Sequence, residues 1–115
     1  MSWSRQTAVV LLATLSGCAT RPAATAEVCP SRGAQALRFV DVFDGTPIEL
    51  ATSVPDKAQD RSGFWVLGYV YDAGRFVTVR CKNADNTSVD VTLSKRVNRC
   101  DYRINATKAM SFLCK

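Results

Sequence analysis

The chain reads as a mainly β protein: a small antiparallel β-sheet or sandwich-like domain stapled by two disulfides. Three observations carry that expectation. Apolar and polar residues alternate with period two over several short runs, as half-buried strands require. Gly, Asn, Asp and Pro punctuate those runs at turn positions. Cys29, Cys81, Cys100 and Cys114 supply an even set of thiols in a chain of only 115 residues, a size at which cross-links commonly supplement a modest core.

The elements follow in order. Residues 37–43 are a strand candidate closed by Asp44-Gly45-Thr46-Pro47, where Gly tolerates positive φ and Pro presets its own φ. Residues 48–54 carry mixed signals, either a helical turn or an edge strand. Residues 55–63 are polar and charged and form the longest expected loop. Residues 64–71 are apolar on both faces apart from Gly68, which predicts a central strand. Asp72-Ala73-Gly74 turns into 76–82, and 83–87 turns into 88–93. The alternation points Val77, Val79 and Cys81 inward, then Val89, Val91 and Leu93, then Cys100, Tyr102 and Ile104, and finally Met110, Phe112 and Cys114. These strands belong to a single domain, with no internal repeat or second hydrophobic span.

The N-terminus predicts an export address. Arg5 is the only charge before an apolar stretch over residues 8–15, which is too short to span a bilayer and ends at Leu15-Ser16-Gly17-Cys18. That quartet resembles the lipobox of a bacterial lipoprotein precursor. The resemblance implies a cleaved signal peptide over 1–17, a diacylglycerol thioether and N-acylation at Cys18, and a lipid-anchored tether over 18–28, rich in Ala, Thr and Pro. With Ala19 rather than Asp after the cysteine, it also implies the outer membrane, facing the periplasm. The alternative is an ordinary secretory signal cut near Ala24 or Ala26.

With Cys18 assigned to lipid, the domain at 29–115 retains four cysteines in an oxidising compartment, where two disulfides are the economical arrangement. Cys81 with Cys100 and Cys29 with Cys114 are the favoured pairs. Cys100 with Cys114 across a hairpin is the rival. A metal site is not expected, because histidine is absent and no cysteines stand at C-x-x-C spacing, and no cofactor is implied.

The order Cys29-Pro30, Val42-Phe43-Asp44-Gly45-Thr46-Pro47, Pro55-Asp56, an aromatic strand with Trp65, Val79-Arg80-Cys81, Leu93 to Val97, Cys100 and Cys114 resembles a family of small, uncharacterised proteobacterial envelope proteins. That family shares a Cys-Pro start, a Phe-Asp-Gly-x-Pro turn and three later cysteines. The resemblance covers the domain from Cys29 onward and implies no activity. The chain departs from the family pattern at Ser94-Lys95, where a Leu-Pro pair is expected, and in a short tail after Cys100.

The absence of histidine removes the commonest neutral-pH base, and with it Ser-His-Asp and Cys-His catalysis. Asp44 with Glu49 and Asp56 with Asp60 are the carboxylate pairs that would mimic a glycosidase site, although turn acids facing solvent are the simpler account. Ser94-Lys95 lacks Ser-x-x-Lys spacing. No catalytic residue is therefore expected. Charge supplies the remaining functional signal. The formal net charge is +5, and from Arg75 onward nine bases face only Asp85, Asp90 and Asp101. Arg80, Lys82, Lys95, Arg96, Arg99 and Arg103 form a candidate contact face for an acidic protein, lipid A phosphates or an anionic wall polymer. The alternative is a solvated surface that serves solubility. Nucleic acid is not expected as a partner, and Asn86 and Asn105, although in Asn-x-Ser/Thr sequons, read as turn residues. The expected role is a non-enzymatic binding, inhibitor or immunity module of the envelope; the alternative is a docking accessory of the outer membrane or a secretion apparatus.

Overall fold

The computed structural model describes residues 26–30 and 35–115. The lipobox, Cys18, the predicted signal segment and most of the predicted tether lie outside these residues. Among the described residues nine strands form two antiparallel sheets: β1 (Ala26–Glu27), β2 (Leu37–Asp44), β3 (Thr52–Ser53), β4 (Lys57–Ala58), β5 (Ser62–Val66), β6 (Val77–Asn83), β7 (Ser88–Leu93), β8 (Arg99–Ile104) and β9 (Met110–Cys114). The five-stranded sheet has the order β1-β9-β8-β5-β4, and the four-stranded sheet the order β3-β2-β6-β7.

The period-two pattern explains how the two sheets meet. Val40 and Val42 of β2 and Val77, Val79 and Cys81 of β6 face Trp65 of β5, Cys100 of β8 and Phe112 and Cys114 of β9 across one core. Trp65 stacks edge-on against Phe112, with ring centroids 5.6 Å apart, and tilts against Tyr102 at 5.5 Å. All three late cysteines take the inward phase that their alternation predicts, each being fully or almost fully buried.

Their pairing differs from the favoured one. The disulfides are Cys29–Cys81 and Cys100–Cys114. Cys81 and Cys100 share an inward phase but sit on different sheets, whereas Cys100 and Cys114 are direct cross-strand partners on β8 and β9. Arg99 and Lys115 exchange both backbone hydrogen bonds, so the adjacent Cys100/Cys114 pair is the close, non-hydrogen-bonded kind, with Cα atoms 4.0 Å apart. Register therefore selects the hairpin pairing and leaves Cys29 for Cys81.

Two further elements depart from expectation. Residues 64–71 do not continue as a central strand: β5 ends at Val66, and a short helix, α1 (Gly68–Asp72), follows. Leu67, Val70 and Tyr71 turn towards the core at helical i, i+3, i+4 spacing, a pattern hidden inside a run that is apolar throughout. Gly68 suits the crossing because a Cβ there would lie 2.7 Å from Arg96 Nη2. The Tyr71 hydroxyl donates to the Leu93 carbonyl at 2.7 Å and ties α1 to β7. The predicted tether also ends early. Ala26 and Glu27 pair with Cys114 and Leu113, and Val28 packs on the core, because β9 offers an otherwise open edge. Residues 26–29 thus join both sheets, through β1 to one and through the Cys29 disulfide to the other.

Candidate functional site

The predicted basic face is divided by the topology. Arg80 and Lys82 project from the outer face of the four-stranded sheet, and Arg99 and Arg103 from that of the five-stranded sheet, on opposite sides of the shared core. The six residues therefore do not make one continuous surface. Four of them are also neutralised. Arg80 forms a forked pair with Asp90 at 2.8 and 3.0 Å, Lys82 meets Asp41 at 2.9 Å, Arg96 meets Asp72 at 2.6 Å, and Arg99 forks onto Asp101 at 2.8 and 3.0 Å. Arg80, Lys82 and Arg99 additionally lie over the rings of Phe43, Phe39 and Phe64. Lys95 and Arg103 make no ion pair among the described residues. Sequence carries the cations but not their cross-strand partners: Arg80 faces Asp90 only because β6 and β7 pair in that register.

The carboxylate pairs are likewise placed for structure. Asp44 and Glu49 both bind Arg75, at 2.7 and 2.5 Å. Glu49 Oε2 accepts from the Thr46 N–H at 2.9 Å and from the Thr46 hydroxyl at 3.1 Å. That backbone donor first, and then Arg75, hold the Glu49 carboxyl below its ordinary value, so it is ionised at neutral pH and has no proton to donate. Asp56 accepts from the Val66 N–H at 2.6 Å and so ties the open end of the β4–β5 hairpin, away from its turn. Asp60 stays on the exposed surface. Asn86 occupies a turn at φ 68°, and Asn105 Oδ1 closes the β8–β9 turn by accepting from Thr107 and Ala109.

What these acids brace is a surface that sequence reasoning left as mixed. Between β2 and β3, Pro47–Glu49 forms a single 3₁₀ turn, and Leu50 follows in the left-handed region at φ 58°. Ile48 is 89% exposed and Leu50 78%, and Val54 beyond β3 is also 78% exposed. The backbone beneath them is fixed at each step: Leu50 N–H bonds Pro47 O, Thr52 N–H bonds Leu50 O, and Asp44 N–H bonds Ala51 O. Arg75, arriving from the turn before β6, clamps Asp44 and Glu49 from below. The Trp65 indole donates to Ser53 O at 3.1 Å and fastens β3 to the opposite sheet.

No known protein family, curated protein or solved structure matches this chain. Its surface chemistry therefore has to be read from its own residues. Leucine in the left-handed region sits where glycine is relaxed, at a penalty of roughly 1–2 kcal/mol. Backbone strain combined with exposed aliphatic side chains on a braced loop marks 46–54 as the candidate contact site. The signal available in sequence was the cluster Pro47-Ile48-Glu49-Leu50, apolar side chains directly behind the turn at 44–47, in a stretch that fits a helical turn or an edge strand.

Four carboxyls are held below their ordinary values. Asp72, Asp90 and Asp101 are each lowered chiefly by the hydrogen bond from their arginine, as Glu49 is by the Thr46 N–H. A carboxyl lowered by folding contributes stability that is full above its unfolded value and is lost as pH falls through its folded value. The domain is therefore expected to hold a constant melting temperature from neutrality down to about pH 5 and to lose it progressively below about pH 4. Thermal melts across this range check the expectation, and a decline beginning near neutrality would contradict it.

Proposed function

We propose that this chain is a non-enzymatic binding module, lipid-anchored at Cys18 to the bacterial outer membrane and facing the periplasm, which engages a protein partner as an inhibitor or immunity protein does. The contact is the braced 46–54 loop. The observation that carries this is the pair Ile48 and Leu50, almost fully exposed on a backbone held by Arg75, Glu49 and Thr46. A fixed loop loses little entropy on association. Burying either aliphatic side chain in an apolar pocket of a partner supplies about 1.5–3 kcal/mol, which is roughly tenfold or more in affinity per residue.

Capture from an oxidised periplasmic extract tests the proposal. The wild-type chain and Arg80→Glu/Arg103→Glu are expected to retain the same partner, and Ile48→Glu/Leu50→Glu is expected to lose it. A partner lost with the arginine variant and kept by the loop variant would return the contact to the basic residues. No specific partner for the wild type, together with no growth protection against wall hydrolases or secreted toxins, would overturn the binding role.

A further inference from the structure

Beside the loop, a cleft of about 290 Å³ opens between β2 and the five-stranded sheet, bordered by Val40, Val42, Val54, Trp65, Tyr102 and Ile104. Its floor holds an unfinished hydrogen-bond ladder. Residues in an antiparallel strand alternate between bonding one neighbour and the other. The Gly45 N–H bond to Phe76 O at 2.7 Å sets the phase, so that Phe43, Asp41 and Phe39 bond β6 while Asp44, Val42 and Val40 turn the opposite way. Asp44 is met by Ala51 and Val42 by Ser53. Val40 is next in line, but β3 has ended at Ser53, and Val54-Pro55 leads the chain away. Among the described residues, nothing pairs the Val40 N–H and C=O across that edge. The residue is only 3% exposed and borders the cleft, and a buried peptide group without a partner is costly.

Charge marks one end of the same cleft. Ile104 also borders a shallower depression whose charged residues are Arg38, Arg61 and Lys108 against Asp60 alone. Arg38 is held there by hydrogen bonds to Thr107 O and Lys108 O at 3.2 and 3.1 Å. A strand continuing the line of β3 runs antiparallel to β2 and so reaches this basic end with its C-terminal side.

We propose that the β2 edge at Val40 accepts an extended peptide segment of a protein partner, with an apolar side chain in the cleft and an acidic residue or terminal carboxylate at Arg38, Arg61 and Lys108. The residue opposite Val40 exchanges both backbone hydrogen bonds with it and points to the same face, into the cleft. Main-chain pairing supplies affinity, and the apolar slot and the cations supply selection. This rests on the chain being a protein-binding module and adds a second contact to the loop.

The test uses the full chain and a fluorescent peptide of alternating threonine and valine ending in aspartate. Binding is expected, with slowed exchange of the Val40 amide. N-methylation of the valine opposite Val40 should weaken it at least tenfold, replacing the aspartate by lysine should weaken it severalfold, and Arg61→Glu/Lys108→Glu should reverse that charge preference. Equal binding of the N-methylated peptide, no binding at millimolar peptide, or occupation of the cleft by dodecanoate in place of peptide would each overturn the inference. If one of these occurs while loop-dependent capture persists, only the peptide slot falls and the binding module stands.

Discussion

Replacing Phe112 with alanine is expected to destabilise the domain by about 3–5 kcal/mol, the range for deleting a buried aromatic from a packed core. Phe112 is 1% exposed, sits in the central part of the five-stranded sheet on β9, and holds the Trp65 ring in an edge-on contact. Its loss removes one wall of the cluster in which Val42, Val79 and Leu67 pack. In a domain of this size such a change corresponds to at least ~15 °C in melting temperature. Phe112→Leu, which keeps most of the apolar volume, should recover more than half of the loss. Guanidinium denaturation of both variants checks this; a midpoint unchanged by Phe112→Ala would mean that the sheets do not meet across this core.

Removing the Cys29–Cys81 disulfide as a double alanine variant should be the more damaging of the two cysteine deletions. Loop closure in the unfolded chain scales with the logarithm of the spacing. A separation of 52 residues corresponds to ~4 kcal/mol, and the separation of 14 in Cys100–Cys114 to ~3 kcal/mol. The first bridge also fastens residues 26–29 to the centre of the four-stranded sheet, so without it β1 depends on its short pairing with β9 and on Val28 against the core. Thermal melts should rank the variants in that order, and faster exchange of the Glu27 and Val28 amides should accompany the first deletion only. The reverse ranking would contradict the pairing.

Much of the fold was legible because it depends on period two. The alternation in 76–82, 88–93, 99–104 and 110–114 placed every core side chain of β6, β8 and β9 on its correct face. What did not follow were facts of register and tertiary contact. Phase says that Cys81, Cys100 and Cys114 point inward, but only the β8–β9 register puts Cys100 opposite Cys114. Phase also says that Arg80 and Arg103 point outward, yet nothing local says that their two outer faces lie on opposite sides of a shared core or that Asp90 stands beside Arg80. In 64–71 the continuous apolar run fits a buried strand and a buried helix equally, and Leu67 and Val70 decide for the helix only by packing on the core. The 46–54 loop was the least legible feature. Its rigidity comes from Arg75, distant in sequence from Asp44 and Glu49 and brought to them by the β2–β6 pairing.

Leu50→Gly separates a binding role for this loop from a structural one within a single side chain. Glycine relaxes the left-handed backbone at φ 58°, and little packing is lost from a side chain that is 78% exposed. The melting temperature is expected to stay unchanged or rise, and affinity for the captured partner to fall about tenfold or more, measured by titration on the same preparations. A lowered melting temperature with affinity unchanged would contradict it.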